Sequence, residues 1–253
     1  MSQPPGTRPL VTRDRYDAIL FDLDGVITNT ASLHAACWKQ MFDAYLKKRA
    51  MQRGETFRPF DIATDYRLHV DGKPRFDGVR DFLTSRGIQL PEGTPHDPPD
   101  AETVGGLGNR KNELINEVIE KTGVEPYEGS VRCIRQLRNQ GFKTAVVTSS
   151  QNCTTVLRAA HLHASFDAQV DGNTIEEQHL AGKPAADTFL KAAQLLRVDP
   201  GRAVVIEDAI SGVRAGASGH FGLVIGVARK GNAAELLHNG AHVVVNDLSE
   251  LVD

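Results

Sequence analysis

The stretch Ala18-Ile-Leu-Phe-Asp-Leu-Asp-Gly-Val-Ile-Thr-Asn-Thr30 constrains the fold more than any other part of the chain. Its apolar run, Ala18 to Phe21, reads as a short buried strand. The run stops abruptly at Asp22 and Asp24, one residue apart, with Gly25 behind them to free a turn. Two acids at the end of a buried strand serve something other than packing. In an open α/β sheet, ligands bind outside the carboxyl ends of the strands. The rest of the chain can therefore be read for what it brings to that edge.

After Pro126 the pattern alternates. Val131 to Asn139 has helical spacing closed by Gly141, and Lys143 to Thr148 is a buried strand followed by a helix from Asn152 to Ala160. Ala168 to Val170 is a short strand, and Pro184 opens a helix that runs through Leu196. Ala203 to Glu207 is a strand and Ser211 to Ser218 a helix. Leu223 to Val227 and His242 to Val245 are two more strands, with the helical Ala233 to Leu237 between them. Strand and helix in alternation predict a Rossmann-like, doubly wound parallel sheet with helices on both faces.

Residues 32–126 read differently, as helices and loops without strand alternation. Ala31 to Ala50 is amphipathic, with Leu33, Trp38, Met41, Phe42, Tyr45 and Leu46 near i, i+3, i+4 spacing. Arg49 to Thr64 is a polar, unperiodic excursion, Tyr66 to Val70 leads into a turn at Asp71 to Arg75, and Gly78 to Ser85 is a short helix. Gln89 to Asp100 carries Pro91, Pro95, Pro98 and Pro99 and reads as a loop. Gly105-Gly-Leu-Gly108 follows no strand, so it reads as a flexible loop and not a nucleotide motif. Asn109 to Thr122 is helical, with Asn109 suited to its N-cap. The expected organisation is an α/β core of residues 1–31 and 127–253, interrupted by a helical domain over 32–126.

Bulk properties narrow the partners. A net charge of −3 leaves no electrostatic footprint for nucleic acid or anionic membrane. No apolar run approaches the ~20 residues of a spanning helix. Met1 to Arg13 lacks a hydrophobic signal core and reads as a flexible tail on a cytoplasmic protein. Cys37, Cys133 and Cys153 are scattered without metal spacing, as in a reducing compartment.

The informative feature is what ends each core strand. Asp22 and Asp24 end the first, Thr148-Ser149-Ser150 the Lys143 strand and Glu207-Asp208 the Ala203 strand, with Lys183 just ahead of a helix. Parallel strands bring these ends to one edge. Like charges about 4 Å apart cost roughly 4 kcal/mol at an effective dielectric of ~20. Either some of the acids hold protons or a divalent cation lies among them. Oxygen donors without nearby His or Cys suit Mg²⁺. A metal, a lysine and hydroxyl groups around a carboxylate make a phosphate site in which the carboxylate can act as nucleophile. Alone, an Asp-x-Asp-Gly is as often a solvated turn as a site, and Thr148 can cap the next helix as well as serve the site.

In order, Asp22-Leu-Asp24-Gly-Val-Ile-Thr-Asn-Thr30, Thr148-Ser149, Gly182-Lys183-Pro184 and Glu207-Asp208 resemble the four motifs of the haloacid dehalogenase superfamily of phosphotransferases, over nearly the whole chain from Tyr16. The helical insert resembles the cap of the subfamily that contains β-phosphoglucomutase. The resemblance implies Asp22 as nucleophile and metal ligand. It makes Asp24 the general acid and base, lending its backbone carbonyl to Mg²⁺. Thr148 and the amide of Ser149 would hold the transferring phosphate, Lys183 would neutralise it, and Glu207 and Asp208 would complete the metal site.

The segments holding His34 and Trp38, Gly72 and Arg75, Lys111 and Asn112, and Ser149 and Asn152 resemble those that such mutases use to hold sugar phosphate. Arg75 would grip the non-transferring phosphate, with Lys111, Ser149 and Asn152 around it, and His34 would help activate Asp24 as the cap closes. Read from the residues alone, Trp38 suits cap packing and His34 a hinge contact. Two positions depart from the family pattern: Asn29 stands where a second aspartate is common, and Ala209 where serine is common.

The implied activity is a Mg²⁺-dependent isomerase that interconverts β-glucose 1-phosphate and glucose 6-phosphate through a bisphosphate. The expected partner is a small-molecule sugar phosphate and the expected state a monomer. The alternatives are a sugar-phosphate phosphatase of the same superfamily and a catalytically silent binding protein on the same fold.

Overall fold

The computed structural model describes residues 10–252, so most of the N-terminal tail, residues 1–9, lies outside the described residues. Among them, six strands form one parallel sheet: β1 (Ala18–Phe21), β2 (Lys143–Val147), β3 (Ala168–Val170), β4 (Ala203–Glu207), β5 (Leu223–Val227) and β6 (Val243–Val245). Their order is β3-β2-β1-β4-β5-β6, with β1 at the centre. Alternate residues of β1 face opposite sides. Ile19 and Phe21 join one apolar cluster with Cys133, Ile134 and Leu137, while Ala18 and Leu20 join the other with Phe189 and Val213. Burial on both faces explains why these strands are continuous apolar runs.

The helices follow the predicted alternation: α4 (Glu128–Asn139), α5 (Cys153–Ala159), α7 (Asp187–Leu196), α8 (Ile210–Ser218) and α9 (Ala233–His238). Two differences are informative. Pro184 does not open α7, which begins three residues later. Asp187 there accepts the Ala181 N–H at 3.3 Å, so residues 184–186 are spent turning the chain after Lys183. A short helix, α6 (Gly172–Glu177), also follows β3 where no element was expected. Asp171 caps it by accepting from the N–H groups of Asn173 and Thr174.

Between β1 and α4 the chain is helical: α1 (Ala31–Arg53), a π-helical segment (Ile62–Val70), α2 (Arg75–Ser85) and α3 (Val104–Thr122). These helices build an aromatic cluster of their own, with Phe42 stacked 5.3 Å from Trp38 and 5.1 Å from Phe60. Phe60 is fully buried there, so the Arg49–Thr64 excursion is pinned at its far end; its first residues, to Arg53, prolong α1. Tyr66 to Val70 lies inside the π-helical segment and is not merely a lead-in to the turn.

Gly105-Gly-Leu-Gly108 is also not a loop. It is the first turn of α3, whose N-cap is Thr103 and not Asn109. Side chains at Gly105, Gly106 and Gly108 would meet the carbonyls of Thr94 and Ala101 and the ring of Phe76. The glycines here permit close packing and are not a sign of flexibility.

Two chain crossings join the helical segment to the core. Asn29 donates its N–H to the Glu125 carbonyl and Tyr127 donates to that of Ile27, both at 2.9 Å. The Tyr127 hydroxyl donates to Asn29 Oδ1 at 3.0 Å, so Asn29 takes part in the crossing itself.

Candidate active site

The register of the sheet sets the site. Phe21 is level with Val146 on β2 and Ile206 on β4, which brings Asp22 beside Val147 and Glu207 at one edge. Lys183 reaches in beneath them, fully buried. Its Nζ donates to Asp22 Oδ1 at 2.6 Å, Glu207 Oε1 at 2.6 Å and the Val147 carbonyl at 3.0 Å. Glu207 is fixed from its other side by the Ala209 N–H, 3.0 Å from Oε2. A side chain at Gly212 would collide with the Glu207 carboxylate, so only glycine admits it there.

Asp22, Glu207 and Asp208 each turn a carboxylate oxygen into one space, the three atoms lying within 4.8 Å of one another. All three are buried. Burial and mutual repulsion raise the Asp22 and Glu207 carboxyls above the usual range against the pull of Lys183. Asp208 is pushed up to about 6, chiefly by burial, with Asp71 and Asp24 adding to it and Lys230 opposing. Burial alone would lower the Lys183 ammonium, but the Asp22 and Glu207 carboxylates outweigh it and hold its pKa up. The three acids outnumber Lys183 and Lys230, the two lysines beside them, and the donors are all oxygens. This set fits Mg²⁺. Gly25, at φ 97°, belongs to the same arrangement, since any side chain on it would strike the Asp208 carboxylate.

Asp24 points away from that cluster. Its Oδ1 accepts from the Thr30 hydroxyl, and His34 Nε2 is 3.5 Å from the same oxygen. His34 Nδ1 is 2.8 Å from Lys111 Nζ. An ammonium has no acceptor, so Lys111 donates and the imidazole proton lies on Nε2, facing Asp24. Burial, then the Lys111 charge, lowers His34 to about 4, while burial lowers Lys111 to about 8 against the pull of Asp24. His34 is thus neutral at ordinary pH.

Above these residues is a cavity of about 490 Å³ between the sheet edge and the helical segment. Asp22, Asp24, Thr148 and Asp208 line its core side, with Arg75, Lys111 and Trp38 on the other. The two sides are tied together. Ser149 Oγ donates to the Gly72 carbonyl and Ser211 Oγ to that of Asp71, each at 2.7 Å. Gly72 is at φ 73°, and a side chain there would collide with Ser211 and press on Ala209. The small side chain at position 209, a departure in the sequence pattern, thus lies against this turn beside Ser211.

The other expected residues are distributed as follows. Gly72, Asn112 and Ser149 line the cavity. Asn152 stands behind, donating from Nδ2 to Asn112 Oδ1 at 3.2 Å. Trp38 serves both readings, lining the cavity while it packs in the aromatic cluster. Sequence reading passed over Lys230, whose Nζ is 3.2 Å from Asp208 Oδ2 and 3.9 Å from Asp71 Oδ2. Its signal was available, because Arg229-Lys230 follows the end of β5 at the same sheet edge. Gln151, also unassigned, accepts from Arg75 Nη1 at 2.7 Å.

The family model described as haloacid dehalogenase-like hydrolase matches residues 16–220. The chain belongs to this family. It is 51% identical to a β-phosphoglucomutase of Mycobacterium tuberculosis over 97% of this chain and 95% of the relative. It is 31% identical to the β-phosphoglucomutase of Bacillus subtilis, over 92% and 91% of the two chains. Among solved structures, β-phosphoglucomutase from Clostridium difficile superposes with a TM-score of 0.72 at 24% identity, covering 94% of this chain and 93% of that one. That likeness concerns the fold. Three of the haloacid dehalogenase motifs seen in the sequence thus fall at the ends of β1, β2 and β4 and the fourth, around Lys183, between α6 and α7, and the chain is an enzyme.

The acidic cluster leaves a measurable trace. Asp208 ionises near 6 when folded and near 3.8 when free. Between those values the folded state keeps a proton that the unfolded state has released, so stability falls as pH rises through this window. A shift of this size corresponds to about 3 kcal/mol. Without divalent cations, wild type should lose about 2 kcal/mol of this relative to Asp208→Asn between pH 4 and pH 6.5. Denaturant unfolding of both proteins across the window checks it; parallel curves would contradict the assignment.

Proposed function

We propose that this enzyme is a β-phosphoglucomutase, interconverting β-glucose 1-phosphate and glucose 6-phosphate through an aspartyl phosphate on Asp22 and a glucose 1,6-bisphosphate. The observation that carries the reading is the two-ended cavity, with the Asp22, Thr148 and Lys183 group at the sheet edge and Arg75 on the helical side. A substrate that must present either of two phosphates to one nucleophile needs a second anion site facing the first. The identity to the mycobacterial relative over nearly the full length of both chains supports it.

In this reading, phosphorylated Asp22 transfers its group to the 6-hydroxyl of β-glucose 1-phosphate while Asp24 takes the hydroxyl proton. The bisphosphate then turns over. Asp22 attacks the phosphate on carbon 1, and Asp24 returns the proton to the departing oxygen, which frees glucose 6-phosphate. One carboxyl therefore serves as base and acid in turn. Thr30, with the His34 imidazole beside it, holds Asp24 facing the cavity. Thr148 and the Ser149 amide hold the transferring phosphate, and Arg75 the other, to which a planar guanidinium bonds bidentately. Lys111, Asn112 and Asn152 support the sugar side.

Asp22, Glu207, Asp208 and the Asp24 carbonyl would hold Mg²⁺, which would supply charge stabilisation to the transferring phosphoryl group. Residues 32–126 act as a cap over the core of 1–31 and 127–253, excluding the water that would otherwise take the phosphate. No described helix is long and apolar enough to cross a membrane. The reading includes a monomer working in the cytoplasm, where sugar phosphates are retained.

A product assay tests this directly. Incubation with β-glucose 1-phosphate, Mg²⁺ and a trace of glucose 1,6-bisphosphate should yield glucose 6-phosphate with little free phosphate. Inorganic phosphate as the sole product would replace the mutase by a phosphatase, in which water is the acceptor.

A further inference from the structure

Arg75, like Lys111, has surroundings unlike those of Lys183 and Lys230. Lys183 and Lys230 pair with carboxylates, whereas both partners of Arg75 are neutral amides. Nη1 donates to Gln151 Oε1 at 2.7 Å and Nη2 to Asn109 Oδ1 at 3.0 Å. Its Nε is buried without a hydrogen-bond partner. The guanidinium also lies over the Phe76 ring, 4.7 Å from the centroid. Burial lowers its pKa, and Glu176 opposes this.

Each amide is locked at its donor end. Asn109 Nδ2 donates to the carbonyls of Pro95 at 2.9 Å and Asp97 at 2.8 Å. Gln151 Nε2 donates to Glu176 Oε2 at 2.8 Å. With its NH₂ committed, each amide can offer Arg75 only its oxygen. The loop that anchors Asn109 is itself braced, as Asp97 accepts from the hydroxyls of Thr94 at 2.8 Å and Thr103 at 2.5 Å.

We propose that Asn109, from α3, and Gln151, from the loop after β2, are the positioning residues that hold the Arg75 guanidinium as an anion receptor without cancelling its charge. The proposal rests on the reading of Arg75 as the grip for the non-transferring phosphate. Two oriented carbonyl dipoles fix the plane of the guanidinium while leaving its positive charge for the ligand. A carboxylate in either place would still accept from the guanidinium, but it would lose the donor contacts that lock the amide and would neutralise the receptor. Through Asn109, the Pro-rich loop becomes part of the phosphate site, which gives that long segment a role in substrate selection.

The discriminating variants are Asn109→Asp, Asn109→Ala and Arg75→Ala in the full chain with Mg²⁺ present. Calorimetry with glucose 6-phosphate should show Asn109→Asp weakening binding by about tenfold or more, and Asn109→Ala by a smaller factor. In turnover, the loss should fall mainly on KM and less on kcat. Labelling of Asp22 by acetyl phosphate, a donor with no second phosphate to grip, should suffer clearly less than glucose 6-phosphate binding. Gln151→Glu should behave as Asn109→Asp.

Wild-type affinity for glucose 6-phosphate in Asn109→Asp, with Arg75→Ala weakened, would overturn the positioning role while leaving Arg75 in place. Equal losses in acetyl phosphate labelling and glucose 6-phosphate binding would mark a structural effect and also overturn it. An Arg75→Ala variant that binds as wild type would remove the reading of Arg75, and the proposal with it.

Discussion

Replacing Asp22 by Asn should abolish phosphoenzyme formation and lower turnover by at least about 10⁴-fold, the order seen when a nucleophile is removed from a working site. The carboxylate lies at the one point where the sheet edge, the buried cation and the cavity meet, with Lys183 2.6 Å from Oδ1 and the cavity above. Asn keeps the shape and can accept the same lysine proton through Oδ1, but its amide nitrogen cannot carry a phosphoryl group in place of the lost oxygen. The fold should survive. Burial and the neighbouring acids already raise the Asp22 carboxyl, so removing its charge relieves repulsion within the cluster. Intact mass spectrometry after exposure to a phosphodonor, run beside a thermal melt, reads both effects. Stoichiometric phosphate on a well-folded Asp22→Asn protein would move the nucleophile elsewhere.

How much of this was legible beforehand depended on the kind of information each residue carries. The core strands were legible because parallel strands buried on both faces are short apolar runs, and Ala203 to Glu207 was bounded to the residue. The acids at their ends were legible because buried strands do not otherwise finish in carboxylates. Lys183 was legible as the cation just ahead of a helix, although the chain turns through three further residues before that helix begins. Residues that act through tertiary contact were harder to read. The Gly105–Gly108 run reads as flexible until the Thr94 and Ala101 carbonyls and the Phe76 ring are seen against it. Asn109 reads as a helix cap until its amide is found between Arg75 and the Pro95–Asp97 carbonyls. Lys230 was a different case. The rule applied to three strands was not applied to β5, whose end delivers a lysine to Asp208.

The largest effect on stability should come from Lys183→Met. The ammonium is wholly buried, and two carboxylates depend on it at 2.6 Å. Methionine is close in volume but leaves Asp22 and Glu207 facing one another with no cation between them. Breaking a buried ion pair from one side typically costs about 3–5 kcal/mol, because the remaining charge is uncompensated. For a chain of this size, each kcal/mol shifts Tm by about 2–4 °C, so a drop of roughly 6–20 °C is expected near neutral pH without divalent cations. The two acids have an alternative to ionisation, which fixes the pH dependence. Burial already lifts both carboxyls above their unfolded values, and loss of Lys183 lifts them further. In the window between unfolded and folded pKa the native state binds more protons than the unfolded state, so acidification favours folding. The gap in Tm between variant and wild type should therefore narrow towards about pH 5 and widen again as the pH is raised. A gap independent of pH would mean that lost packing, and not uncompensated charge, dominates at this site. Catalysis should fail at every pH, because the condition that restores the fold protonates the carboxylate that must attack.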